Sequence, residues 1–159
     1  MTITTSGLPA LAHDGSVNLP STARFVVREA VAFGRRYRDF TVTYVGPNFL
    51  RLFGDVVVAA QPPRRVRTFA LEQWADDDAL ASIAGEQAGL ADLFAALSLG
   101  PDGPCEFHGE SNTVYQNADG GQWTPHFYTR GNRLGFGALP FGDAVGWEPG
   151  DVFLAAVTE

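Results

Sequence analysis

"QWTPHFYTRGNRLGFG", residues 122–137, contains two strand-like segments, 122–130 and 133–137, separated by the turn signal Gly131-Asn132. Their short length and aromatic and β-branched content point to antiparallel β structure. The rest of the last third repeats the pattern. "CEFHGE" (105–110), "NTVYQ" (112–116) and "DVFLAAV" (151–157) are further short strands, punctuated by "NADGG", "LPFGDAVG" and "EPGD".

The first third reads as strands too. "RFVVREAVAF" (24–33) places Phe25, Val27, Val31 and Phe33 on one face with Glu29 interrupting, and "GRRYR" (34–38) turns into "DFTVTYVG" (39–46), where Phe40, Val42 and Tyr44 alternate with Thr41 and Thr43. Gly46-Pro47-Asn48 breaks the chain. "FLRLFGDVVVAA" (49–60) is apolar enough to be a buried member of the series, and "RRVRTFALE" (64–72) follows Gln61-Pro62-Pro63. The helical signal lies in the middle. Asp76, Asp77 or Asp78 caps a short helix through "ALASIAG" (79–85), and "EQAGLADLFAALS" (86–98) brings Leu90, Leu93, Phe94 and Leu97 onto one stripe before Gly100-Pro101-Asp102-Gly103-Pro104 ends it.

Strand run, helices, strand run predicts an α+β, mainly β fold: an antiparallel sheet, sandwich or barrel of about eight strands with a short central helical pair. Residues 1–23, rich in Thr, Ser, Ala, Gly and Pro, read as an extended N-terminal arm lying on its own or a neighbouring subunit. Residues 24–159 read as a single β-rich domain.

All eleven basic residues are arginine. Without lysine there is no P-loop lysine, Schiff base or pyridoxal phosphate attachment. The single Cys105 excludes an internal disulfide and a zinc site of paired cysteines. No apolar run approaches a membrane span and the N-terminus lacks signal-peptide features, so a soluble, virion or cytoplasmic protein is expected. Charge is segregated along the chain. Residues 24–67 carry nine arginines against Glu29, Asp39 and Asp55, whereas residues 72–159 carry fourteen acids against Arg130 and Arg133; with Asp14 this gives the net charge of −7. The acidic balance argues against nucleic acid as a partner, and a basic face docking on an acidic one, within the chain or between copies, accounts for the segregation.

Glu106, His108 and Glu110 alternate along one strand face, and with a cross-strand His126 they compose a candidate metal or acid–base cluster. The set is incomplete. Alternating polar residues are what the solvent face of a half-buried strand requires, so no metal, cofactor or catalytic residue is assigned. "HGESN" (108–112) begins like a nucleophile elbow, but Thr113 occupies the position of the final glycine. His13 reads as a surface residue. The arginines of "GRRYR" and "PPRRVR" offer an anion-binding or phosphate-contacting edge, against the simpler reading that they keep strand ends soluble.

"QWTPHFYTRGNRLGFGALPFGD" (122–143), about a seventh of the chain, resembles a pattern in tail-fibre and other phage virion β-domains, with its Trp-Thr-Pro start, Tyr-Thr-Arg strand and Leu-Pro-Phe turn. Extended through "GWEPGDVFL", the stretch is similar to the end of B3-type DNA-binding pseudobarrels at Trp123, Phe141, Gly150 and Asp151; the C-terminal half is acidic where that family places basic arms.

The leading expectation is a non-enzymatic structural or assembly protein, a phage virion or other particle component that forms homo-oligomers through its arm. The alternative is a small-molecule-binding protein or lyase/cyclase-type enzyme. Its pocket would lie between the sheet and the 87–98 helix, with Arg28 or Arg51 holding an anion and His108 or His126 as acid–base group. A B3-like nucleic-acid reader acting through residues 24–67 is third.

Overall fold

A computed structural model describes residues 11–71, 88–99, 112–113, 116–118, 120–140 and 152–156. In chain order the elements are Leu11–Leu19 (β1), Phe25–Val26 (β2), Val27–Ala30 (α1), Arg36–Tyr37 (β3), Phe40–Val45 (β4), Pro47–Phe53 (α2), Val57–Val58 (β5) and Arg64–Leu71 (β6). Leu90–Ser98 (α3), Asn112–Thr113 (β7), Gln116–Ala118 (β8), Gly121–Arg130 (β9), Arg133–Pro140 (β10) and Val152–Ala156 (β11) complete them.

The 122–137 stretch forms an antiparallel hairpin, with Phe127 opposite Phe136 and Arg130 opposite Arg133. Gly131 turns it at φ +58°, a conformation glycine adopts without the steric cost of a Cβ. Around this hairpin the sheet runs β1-β6-β11-β7-β9-β10-β4-β3, with β8 also paired to β9, and curls into a half-barrel. The architecture is mainly β with a few short helices, as the sequence predicts. Most neighbours are antiparallel, but β10 runs parallel to β4 and β11 parallel to β7. Residues 11–19, within the segment read as an arm, form β1 at one edge of this sheet.

Two segments depart from the strand reading. In 24–33 only Phe25 and Val26 are strand, paired with Val58 and Val57, because the partner segment is just two residues long. The Val27 and Arg28 N–H groups then donate to the carbonyls of Val56 and Gly54, and the chain coils through α1 with Val27, Ala30 and Val31 buried at helical spacing. Phe33, read as core-facing, is 85 % exposed. The run 49–60 likewise begins as helix, its first five residues belonging to α2, and only Val57 and Val58 are strand. Pro47 starts that helix, where its fixed φ suits the first turn and its missing N–H is not needed, and Phe49 and Phe53 are buried one turn apart.

The core lies on one sheet face, lined by Phe40, Val42, Val66, Phe127, Leu134 and Phe136. Against it lies α3, buried from Leu90 to Leu97. The Phe94 ring stacks 5.6 Å from Phe136 and meets Phe25 edge-on at 5.0 Å. The stripe predicted for 86–98 is thus core, and the preceding helix predicted over 79–85 lies outside the described residues.

A helix buried on every side needs internal partners for its N-terminal N–H groups. Asp92, 1 % exposed, supplies one: its Oδ2 accepts from the Gly89 N–H at 2.9 Å. Glycine at the N-cap has no side chain to return the bond, so the carboxylate alone does the capping. Its Oδ1 accepts from Gln61 Nε2 at 2.8 Å and lies 3.4 Å from Arg64 Nε. Gln61 in turn exchanges backbone bonds of 2.9 Å with Thr22. Asp92→Ala would strip the cap and leave the Gly89 and Gln61 donors without their acceptor. The expected loss is about 2–4 kcal/mol in urea denaturation, with a smaller loss for Asp92→Asn, whose remaining oxygen keeps one bond.

Candidate functional site

The outer face of the hairpin carries the most chemistry-bearing side chains among the described residues. Phe127 and Thr129 of β9 are buried on one side, and strand alternation puts Thr124, His126, Tyr128 and Arg130 on the other, where Thr124 is buried as well. Opposite them, β10 has Gly137 at the register of His126 and Gly135 at that of Tyr128. The rings fill the space where glycine has no side chain: a Cβ on Gly135 would lie 2.4 Å from Tyr128 Cζ, and one on Gly137 2.8 Å from His126 Nε2. Tyr44, at the register of Gly135 on the other flank, extends this row across β4, β10 and β9.

His126 donates from Nδ1 to the Thr124 carbonyl at 3.1 Å, which fixes the tautomer, because a carbonyl can only accept. Burial lowers its pKa below the usual histidine value, and the bond to Thr124 opposes that shift only in part. Tyr128 is pushed up by burial, then by the neighbouring Tyr44 phenol. Neutral imidazole and neutral phenol side by side over a glycine track make a packed surface. Among the described residues, no three His, Cys, Asp or Glu side chains gather at a metal-binding spacing.

The arginines proposed for an anion are engaged separately. Arg28 Nη2 pairs with Asp55 at 3.2 Å, and the Arg51 guanidinium lies 5.9 Å from the centre of the Trp123 ring. These contacts differ from those of His126, whose ring lies against Gly137 and near Tyr128. Glu106, His108 and Glu110, and the elbow-like 108–112 stretch, lie outside the described residues.

A cavity of about 300 Å³ does open against α3, but from other residues. Arg24 and Arg35 stand at it with Phe25, Tyr37, Phe94 and Thr22. The Tyr37 hydroxyl donates to the Ala30 carbonyl at 2.6 Å, and the Arg35 guanidinium lies 5.6 Å from the Tyr37 ring centre. Burial raises the Tyr37 pKa, with the charge and hydrogen bond of Arg35 partly offsetting it. Of these residues, sequence reasoning identifies only Arg35, within the "GRRYR" arginines.

The sheet edges differ sharply. On one side β3 is two residues long, contains Arg36 and is flanked by Arg35 and Arg38, the short, charged edge that discourages pairing with other chains. On the other side β1 runs for nine residues, is bonded along β6 by one edge, and carries Asp14 as its single formal charge. Its outer edge has no strand partner among the described residues.

No family model matches this chain, and no curated protein or solved structure matches it.

The lowered pKa of His126 makes stability pH-dependent with a definite sign. The unfolded chain takes up the proton first, so the contribution is present above the ordinary histidine value of 6.5 and is lost as pH falls through it towards the lower folded value. Denaturation midpoints measured from about pH 7.5 to 5.5 should fall, by no more than about 1.4 kcal/mol per pH unit for one proton, and His126→Gln should flatten that dependence.

Proposed function

We propose that this protein is a non-enzymatic structural or assembly protein, a virion or other particle component whose copies join through β1. The observation that carries the reading is the contrast between the two sheet edges. One edge is cut short and charged; the other offers a row of backbone N–H and C=O groups along a strand of roughly 30 Å. A second copy of the chain satisfies that row when its own β1 lies antiparallel about a two-fold axis, making one continuous sheet from two subunits.

Charge favours a like partner. A chain basic over 24–67 and acidic over 72–159 presents complementary surface to another copy of itself, which steers encounter and suppresses unrelated partners. Nucleic acid has no part in the proposal, because the net charge of −7 works against phosphate. Among the described residues no helix is long and apolar enough to cross a membrane. The resemblance of residues 122–143 to phage virion β-domains points the same way.

Size-exclusion chromatography with light scattering at micromolar concentration should find a dimer or larger species. Ser16 and Asn18 are exposed on β1, so Ser16→Lys with Asn18→Lys places two positive charges on the joining strand of each copy. Self-association should weaken by about tenfold or more while the circular dichroism spectrum is unchanged. A wild-type chain that stays monomeric throughout that range overturns the reading.

A further inference from the structure

We infer that the cavity between residues 21–25, the 35–37 turn and α3 is a binding site for a small aromatic carboxylate. Its walls divide into two chemistries. Phe25 and Phe94 meet edge to face at 5.0 Å, and Tyr37 lies tilted against Phe94 at 6.4 Å, so the inner part is an aromatic corner. Arg24 and Arg35 both line this cavity, and none of the described residues lining it is acidic. An aromatic ring fits the corner by offset or edge contacts, and a planar carboxylate matches the fork of a guanidinium with two parallel bonds.

Arg24 makes no ion pair among the described residues, unlike Arg28 with Asp55 and Arg64 with Asp92. Arg35 is held over the Tyr37 ring, which orients its guanidinium without neutralising it. Thr22, also at the cavity, has a buried Oγ1 with no hydrogen-bond partner among the described residues.

The site is also preorganised. Thr22 exchanges two backbone bonds with Gln61, Gln61 is bonded to Asp92, and Asp92 caps the helix that contributes Phe94. Rim and floor are therefore fixed to each other before any ligand arrives, which reduces the ordering cost of binding. A volume of about 300 Å³ suits one or two fused rings bearing one carboxylate. Assembly through β1 is a separate matter, and either can fail without the other.

The test titrates the full ¹⁵N-labelled chain with benzoate, benzamide and inorganic phosphate, followed by amide shifts. Benzoate should saturate and move the amides of residues 21–25, 35–37 and 94–98, with benzamide and phosphate each weaker by about tenfold or more. Arg24→Gln should weaken benzoate by a similar factor while leaving the remaining spectrum in place. Equal affinity for benzamide removes the role of the arginines; equal affinity for phosphate removes the aromatic class. No saturable shift with benzoate in the wild-type chain overturns the site altogether, whether or not the variant folds.

Discussion

The fold depends on hiding one carboxylate. A nine-residue helix buried along almost its whole length against a curled sheet leaves its N-terminal donors no water, and Asp92 meets the need from inside the core. An isolated buried charge would be prohibitive, yet Asp92 is joined by the Gly89 N–H, the Gln61 amide and the Arg64 guanidinium. Arg64 keeps 36 % of its side chain exposed, so only one ion of the pair is taken fully from water. The same bonds fasten α3 to the start of β6 and, through Gln61 and Thr22, to the chain leaving β1. Helix, edge strand and the strand beside it are thereby held in one arrangement by a few polar contacts within an apolar interior.

A second constraint acts at β10, which is hydrogen-bonded on both sides and crowded on both faces. Inward it places Leu134, Phe136 and Ala138 in the core. Outward it has Gly135 and Gly137, and these two positions accept rings from β9 that larger residues would exclude. An aromatic ring lying across a cross-strand glycine covers backbone that would otherwise be solvated and restores packing that the glycine lacks. The other flank is equally tight. The Gly46 N–H donates to the Phe136 carbonyl at 2.8 Å, and a Cβ on Gly46 would lie 3.3 Å from that same oxygen. Glycine there lets β4 run beside β10 to its end before Pro47 turns the chain into α2.

What is legible in the sequence follows the range of the forces involved. Alternation and turn residues are local, so the 122–137 hairpin, β4, β6 and the Leu90, Leu93, Phe94 and Leu97 stripe can be read directly. Residues 27–31 and 47–53 mislead because their apolar, β-branched and aromatic content suits a strand while their burial follows a helical spacing. At Pro47 a helix-start signal is present, but the same residue reads equally well as a break. The parallel pairing of β10 with β4 joins residues about ninety positions apart, and no local pattern encodes it. A pocket against the 87–98 helix is an expectation of the sequence, but its lining is hidden for the same reason: Arg24 and Arg35 join Phe94 there only after α3 has docked, whereas Arg28 and Arg51 look equivalent to them in sequence and find partners of their own.

The charge segregation acquires a clearer meaning once the chain is folded. Arg64, from the basic segment, reaches Asp92 in the acidic half, so part of the predicted docking of basic on acidic surface is internal. Arg28 is answered by Asp55, and Arg51 and Arg35 lie over Trp123 and Tyr37. An arginine over an aromatic ring keeps its full charge; the ring fixes its direction but supplies no counterion. Among the described residues Arg24 and Arg35 have no acidic counterion, so the basic segment places two positive charges beside an aromatic corner. In water such a pair repels, so placing both at one cavity costs energy in the free protein, and an anion settling between them removes that cost. The strain is small, because both side chains are exposed, but its sign favours the ligand.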